Sequence, residues 1–522
     1  MPQKRTNTAS RQPIDIVEFE TWIQSIPDHV DVRSWTHHEL ALWPLFKTTL
    51  VALGILARIE QPKRGMRTGG FGWRAGVMAD YFALSGVRKT RPLRIPPLAP
   101  AGGLSGKVLY YASGGHGREV GNLFVTPSLD VPAAMLGRSG RNHVFWYEDL
   151  GERSPNLART LHGPAFGLSN LLANARGRAM RFGTRKALAG LPGFAECCAT
   201  AARHLKLERR FLQLWFARQV NLAISVADVF NQVFTRDGRP DMLILLNSCV
   251  WSTTGLVAAA KRQNVPVIEV HHGAESRSAV TAPDQRPHFS QFGTAPDALI
   301  SWECRGRGDD RVFAAGPLGL QLSTIVPAGA ADDRASYAAL RRLMSDQKAA
   351  LIDRVKRVAH SGEVLVTLQP GDDGRWVSDV VRELSIDAFI WLRMHALDSE
   401  RVLATLPSGS SARVDVALGS SVLLPLLLDR ADVHLTRFSG ATLEASAAGV
   451  PTVATETYAA ELYGRHVPEG ALHVETSPRA IAAQIEVLVA GRAQRRLSRL
   501  PELRGLVQFV DRFATARGVS KS

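Results

Sequence analysis

Short apolar runs, each closed by glycine, proline or small polar residues, recur along the chain from about residue 105, and longer amphipathic stretches separate them. Runs of that length read as strands buried on both faces and the longer stretches as covering helices, an alternation that predicts parallel α/β sheets. In the first half the expected strands are Val108–Ala112, Val144–Tyr147, Asp241–Leu246, Val265–Val270, Asp297–Trp302 and Val312–Ala314. Asp130-Val131-Pro132 opens a helix, and one long helix is expected over Glu196–Phe234. The stretch from about Gly151 to Gly193 is rich in Arg, Gly and Asn without a clear period, and reads as an insertion or lid. A linker at Pro327–Asp332 and a helix over Ala335–His360 lead to a second set of strands, Val364–Leu368, Phe389–Arg393, Val433–Thr436 and Val450–Ala454. Helices are expected near Leu423–Leu428, Leu443–Ala448, Ser477–Ala490 and Pro501–Ala514, and no repeat of solenoid period is present.

Ahead of these halves the pattern is helical. Residues 1 to about 15 are polar and read as a disordered lead, followed by a helix over Trp35–Ile59 in which Leu42, Trp43, Leu45, Phe46, Leu50, Leu53 and Leu56 dominate. Lys47 and Arg58 interrupt it, so it is too charged to span a bilayer. Two readings are open: the helix packs on the following domain, or it lies in a membrane interface with Lys63, Arg64, Arg67, Arg74, Arg88, Lys89, Arg91 and Arg94 beside anionic headgroups. The resulting division is 1–100 as an extension, 101–322 and 323–500 as two Rossmann-like domains, and 501–522 as a terminal helix.

The stretch Ala431–Thr455 reads as strand, turn, helix, strand. Ser439-Gly440-Ala441-Thr442 is a small-residue turn opening a helix, where amides and the positive end of the helix dipole favour an anion such as a phosphate. Glu444, one turn on, can accept hydrogen bonds from vicinal hydroxyls, as in a ribose; the plainer alternative is an N-cap with a solvated Glu. Candidate chemistry also sits at the carboxyl ends of other strands, where open α/β sheets place ligands. Glu269, His271 and His272 end one such strand ahead of Gly273, and Arg393 and His395 end another with shared strand parity. His116 and Arg118 lie in the Ser113–Arg118 loop, which reads equally as an acceptor contact or as a plain polar loop.

At 522 residues and 45% hydrophobic content the chain supports two or three cored domains. The formal net charge of +15 implies an anionic partner, and the absence of any nucleic-acid module ranks nucleic acid last. Four irregularly spaced cysteines fit neither a disulfide framework nor a structural metal site and suggest a reducing cytoplasm. The amino terminus lacks an apolar signal core, and no run of about 18 uncharged apolar residues occurs.

From about residue 105 to 490 the chain resembles the GT-B glycosyltransferases of bacterial capsule and surface-polysaccharide synthesis. The points of contact are Trp43-Pro44-Leu45-Phe46-Lys47, Ile268–Gly273, Arg393-Met394-His395 and Ser439–Ala445. The resemblance implies two Rossmann-like α/β domains facing each other across a cleft, a nucleotide-sugar donor, a glycan or lipid-linked acceptor and no cofactor. His272 matches the His-Gly pair of the catalytic motif and would take the proton of an acceptor hydroxyl, with Glu269 as the rival base or its orienting partner. Arg393 and His395 would hold the donor phosphate, although Ala396 stands where that element has proline, and Ser439, Gly440, Ala441, Thr442 and Glu444 would complete the donor site. No Asp-X-Asp occurs, in keeping with a metal-independent enzyme in which cationic groups and helix dipoles meet the leaving nucleotide. The expected activity is a cytoplasmic glycosyltransferase, peripheral on the membrane under the second reading of the first helix. A nucleotide-sugar epimerase of the same fold and a non-catalytic assembly protein are the alternatives.

Overall fold

The computed structural model describes residues 16–59, 98–112, 117–120, 123–137, 139–148, 160–178, 183–271, 288–302, 309–322, 335–358, 360–369, 372, 374–394, 413–491, 503 and 505–515. The chain opens with a helix over Ile16–His29, a small antiparallel hairpin of β1 (Thr36–His37) and β2 (Leu40–Ala41), and a helix over Leu42–Ile59. The second helix therefore begins seven residues later than the pattern suggested: Trp35 sits outside it, buried, its indole nitrogen donating to the Pro192 carbonyl at 2.8 Å. Trp43 and Phe46 are buried with it, and Phe46 packs edge-on against Phe216 at 4.9 Å between ring centroids. The apolar face of this helix is thus spent inside the protein. No described helix is long and apolar enough to cross a membrane. The basic residues from Lys63 to Arg94 lie outside the described residues, as does the 1–15 lead.

The first sheet holds seven parallel strands. β3 (Lys107–Ala112) is followed by a short antiparallel hairpin, β4 (Arg118–Val120) and β5 (Leu123–Val125), and then by β6 (Asn142–Tyr147), β7 (Ala165–Gly167), β8 (Met242–Leu246), β9 (Val267–Val270), β10 (Ala298–Ser301) and β11 (Val312–Ala314). Their order is β11-β10-β9-β8-β3-β6-β7. The continuous apolar runs are explained by burial on both faces. Leu109, Tyr111, Trp146, Leu243 and Val267 pack against the helices Arg209–Asp237 and Trp251–Arg262, while Tyr110, Phe145, Ile244 and Ile268 face the helix Pro127–Gly137 and the carboxyl-terminal helix Leu506–Thr515.

Three expectations in this half are corrected. The long helix over Glu196–Phe234 is two, Phe194–His204 and Arg209–Asp237, because Lys206 takes a left-handed φ of 52° and the Leu207 amide turns back to the Ala202 carbonyl. The helix expected from Asp130 begins at Pro127, where the Thr126 amide is capped by the Asp130 carboxyl at 2.6 Å. The stretch read as an insertion instead supplies the edge strand β7 and the helices Ser169–Arg178 and Thr184–Ala189; residues 151–159 and 179–182 within it are outside the described residues.

The second sheet has six parallel strands: β12 (Gly362–Thr367), β13 (Ala388–Arg393), β14 (Val414–Asp415), β15 (Val433–Thr436), β16 (Thr452–Ala454) and β17 (Leu472–Val474), in the order β14-β13-β12-β15-β16-β17. One face packs on the Arg375–Glu383 and Pro478–Ala490 helices, the other on the Ala335–Lys356 and Leu424–Arg430 helices. Both ends of the chain tie the two halves together. Tyr458, on the second half, donates to Glu20 of the first helix at 2.7 Å, and both residues are buried. The Leu506–Thr515 helix returns to the first half, where Asp511 accepts from Arg141 at 2.7 Å.

Candidate functional site

In a doubly wound sheet a crevice opens at the carboxyl edge where successive strands switch direction across the sheet. In the second sheet that point lies between β12 and β15, because β13 and β14 were laid to one side of β12 and β15 to the other. The floor beneath it is tied by side chains. His434 Nε2 is 2.8 Å from Thr367 Oγ1 and its Nδ1 is 3.0 Å from Thr452 Oγ1, so one neutral imidazole links β12, β15 and β16. Burial lowers the pKa of His434 to about 3, which keeps it neutral. Thr436 Oγ1 adds a bond to the Thr367 carbonyl at 2.9 Å.

From this floor the chain leaves β15 through Arg437 and Phe438 into the small-residue turn, and the helix Ala441–Ala447 begins at once. Ser439 Oγ accepts from the Ala441 amide at 3.3 Å and so serves as a local cap. The Ser439 amide is taken by Thr436 Oγ1 at 3.3 Å; among the described residues the Gly440 amide has no partner. Thr442 is fully buried and its hydroxyl also lacks a hydrogen-bond partner among the described residues.

Arg393 ends β13 in register with Thr367 and so stands two strands from Thr436, about 10 Å along the same edge. Its Nη1 donates to the carbonyls of Val422 (2.8 Å) and Gly419 (3.2 Å), which fixes the guanidinium from behind. Gly419 is required for this, because a Cβ there would lie 2.5 Å from the Leu392 carbonyl oxygen. Glu444 lies near Arg393. Enclosure of its carboxyl raises its pKa to about 7, the guanidinium pulling the other way. The structure thus brings together Arg393, Glu444 and the Ser439–Thr442 turn; His395 lies outside the described residues.

The first sheet has its switch point between β3 and β8. The loop after β3 carries His116, which with residues 113–115 is outside the described residues; Arg118 begins β4, its side chain likewise. Gly117 must be glycine, since a Cβ there would sit 2.3 Å from the Phe124 ring and 2.6 Å from Thr126 Oγ1. Glu269 lies inside β9 and is 2% exposed, so it is embedded in the sheet and does not line an open surface. His271 is buried, its Nε2 without a hydrogen-bond partner among the described residues, and desolvation lowers its pKa to about 4. His272, the candidate base, lies outside the described residues.

The structure adds residues that the strand pattern alone did not single out. At the end of β8, Asn247 adopts φ 59° and its side chain accepts from the Cys249 amide at 3.2 Å, turning the chain into the helix Trp251–Arg262, whose first turn carries Ser252, Thr253 and Thr254. Glu148, at the end of β6, accepts from the Tyr111 hydroxyl at 2.8 Å and from Ser252 Oγ. The signal for them was present in Asn247-Ser248-Cys249-Val250-Trp251-Ser252-Thr253-Thr254-Gly255, a polar small-residue helix opening after a buried strand like the one at Ser439. Among the described residues no group of three or more His, Cys, Asp or Glu could hold a metal ion.

No protein-family profile matches the chain, and no curated protein matches it in sequence. Solved structures do resemble it. The calicheamicin glycosyltransferase CalG4 is 15% identical, with 79% of this chain and 96% of that one covered and a TM-score of 0.41. The UDP-GlcNAc 2-epimerase of Neisseria meningitidis bound to UDP-GlcNAc is 8% identical, covering 79% and 99% at a TM-score of 0.44. That of Methanocaldococcus jannaschii is 11% identical, covering 78% and 99% at 0.45. Identities and TM-scores this low do not choose between transferase and epimerase.

Proposed function

We propose that the chain is a nucleotide-sugar-dependent glycosyltransferase whose second domain holds the nucleotide and whose first domain receives a glycan or lipid-linked acceptor of the surface-polysaccharide type. The observation that carries the reading is the convergence on one sheet edge of a back-anchored guanidinium, Arg393, a crowded carboxyl, Glu444, and the Gly440 amide at a helix opening. Arg393 and the amide suit a diphosphate, and Glu444 suits a pair of vicinal hydroxyls on the attached ribose. A departing nucleoside diphosphate is stabilised by the same fixed positive groups.

On the acceptor side, His272, two positions after the end of β9 in the sequence and outside the described residues, takes the role of general base toward the acceptor hydroxyl. Glu269, embedded within β9, suits an electrostatic or orienting role better than direct contact with an acceptor. The chain works at the cytoplasmic side, where nucleotide-sugars are made.

The test is product analysis of purified protein with single nucleotide-sugars, with and without a glycan or polyprenyl-linked acceptor. Acceptor-dependent release of nucleotide together with a lengthened glycan is the expected result. Interconversion of the sugar at C2 without any acceptor would instead make the protein an epimerase, and binding without turnover of any kind would make it an assembly protein.

A further inference from the structure

β11 ends in Ala314, and the chain passes through Ala315, Gly316 at φ 66° and Pro317 into a single 3-10 turn, Leu318–Gln321. This turn is fastened to the first domain. Ala315, Leu318 and Leu322 are buried in the core on one face of the first sheet, and the Gln321 side chain donates to the Ala315 carbonyl at 3.1 Å. Gly319 lies in the middle of the turn. An ideal Cβ on Gly319 would be 2.6 Å from Oε1 of Glu444 and 3.9 Å from its Cδ, with no other heavy atom of the described residues within 4 Å beyond its own chain neighbours. Among the described residues, the space where a side chain would stand is therefore filled from across the domain boundary by one carboxylate.

We propose that Gly319 is a positioning residue for the nucleotide site: by lacking a side chain, the first domain leaves a seat for the Glu444 carboxylate, and this seat sets where the vicinal hydroxyls of the ligand are received. The site on the second domain is then complete only when the first domain is apposed to it. The inference rests on the reading of Glu444 as a ligand contact. Contacts under 3.0 Å at a Cβ do not persist, so any side chain at 319 displaces Oε1, and because that atom ends a flexible side chain the carboxylate swings away while the backbone stays. The raised pKa of Glu444 agrees with a carboxyl enclosed at such a seat.

The experiment titrates CMP, CDP, UDP and GDP calorimetrically into the full chain as wild type, Gly319→Ala, Glu444→Gln and the double variant, with melting temperatures confirming the fold. Loss of a hydrogen bond to a charged group weakens binding by about tenfold or more. The expected result is that Gly319→Ala and Glu444→Gln each weaken the tightest nucleotide by about that factor and that the double variant is no weaker than Glu444→Gln alone, since both act through one carboxylate. Wild-type affinity in Gly319→Ala beside a weakened Glu444→Gln would overturn the positioning role and leave the site intact, and so would strictly additive losses. Unchanged affinity in Glu444→Gln, or no nucleotide binding by the wild type, would overturn the reading of the site as well.

Discussion

At the switch point of the second sheet, His434, Thr367, Thr436 and Thr452 lace three strands together with every polar atom of the imidazole satisfied. At the first sheet's edge β8 and β9 are apolar apart from Glu269, and the next buried imidazole, His271, leaves Nε2 without a partner among the described residues. Buried polar groups that are fully paired make a rigid platform, whereas an unpaired one is a standing cost that a protein keeps where something else is gained. On the proposed function the laced strands of the second edge are the platform under the nucleotide, while the Gly440 amide and Thr442 hydroxyl above them have no partner among the described residues. The first edge keeps its polar groups, Glu148, Asn247, Ser252 and His271, around its margin, where on the proposed function an acceptor would be met.

The sharpest way to break this division of labour is to remove the base from the first edge. His272→Ala should lower transfer by about a hundredfold to ten-thousandfold while nucleotide affinity stays within about twofold of wild type, as rate and binding measurements on the same preparation would read. Near-normal transfer would move the role to Glu269, to His116, or to a mechanism without such a base. Next in size is Arg393→Ala, which removes the guanidinium held by Gly419 and Val422 and should weaken nucleotide binding by about ten- to a hundredfold in calorimetry. Equal affinity would take the phosphate away from β13.

How much of this was legible beforehand follows from what each signal depends on. Strands such as Val108–Ala112 and Met242–Leu246 emerge within the apolar runs that placed them, because parallel strands buried on both faces leave an unbroken apolar record. The Ser439 turn was readable because a helix opening on small residues is a local event. The break at Lys206 was not, since a left-handed lysine is supported by the tertiary packing of the two helices and carries no glycine to announce it. The Trp35–Ile59 stretch is compatible with a membrane-facing segment in isolation; only folding shows that Trp35 and Phe46 meet Phe194 and that Phe46 meets Phe216. Gly319 and Glu444 are 125 residues apart in the sequence, and their contact exists only once two domains are assembled.

Stability offers three smaller tests. His434→Ala leaves the Thr367 and Thr452 hydroxyls buried without their shared partner and should cost about 2–4 kcal/mol in denaturant unfolding. A loss below about 0.5 kcal/mol would mean the lacing does not stiffen the platform. The pH dependence follows from the shifts themselves. His434 and His271, lowered to about 3 and about 4, bind protons more readily unfolded than folded, so their contribution is present above about pH 6.5 and is lost as pH falls toward those values. Glu444, raised to about 7, acts in the opposite sense: its contribution is full below about pH 4.5 and is lost as pH rises through 7. Melting temperature should therefore fall on the acid side below about pH 6.5, and His434→Ala should flatten that limb. The smallest effect expected is for Glu20→Gln, which weakens the buried bond from Tyr458 by about 1 kcal/mol.

The central claim is that the second sheet's edge holds a nucleotide, and the most direct test is the melting temperature of wild type and Gly440→Val across rising concentrations of CMP, CDP, UDP and GDP. A ligand bound only by the folded state raises the melting temperature by mass action, by the equivalent of about 2.7 kcal/mol at a hundred times its dissociation constant. At least one nucleotide should raise the wild-type value with concentration and leave Gly440→Val, folded but with its turn filled, unmoved. No rise with any nucleotide, or an equal rise in both proteins, would contradict it.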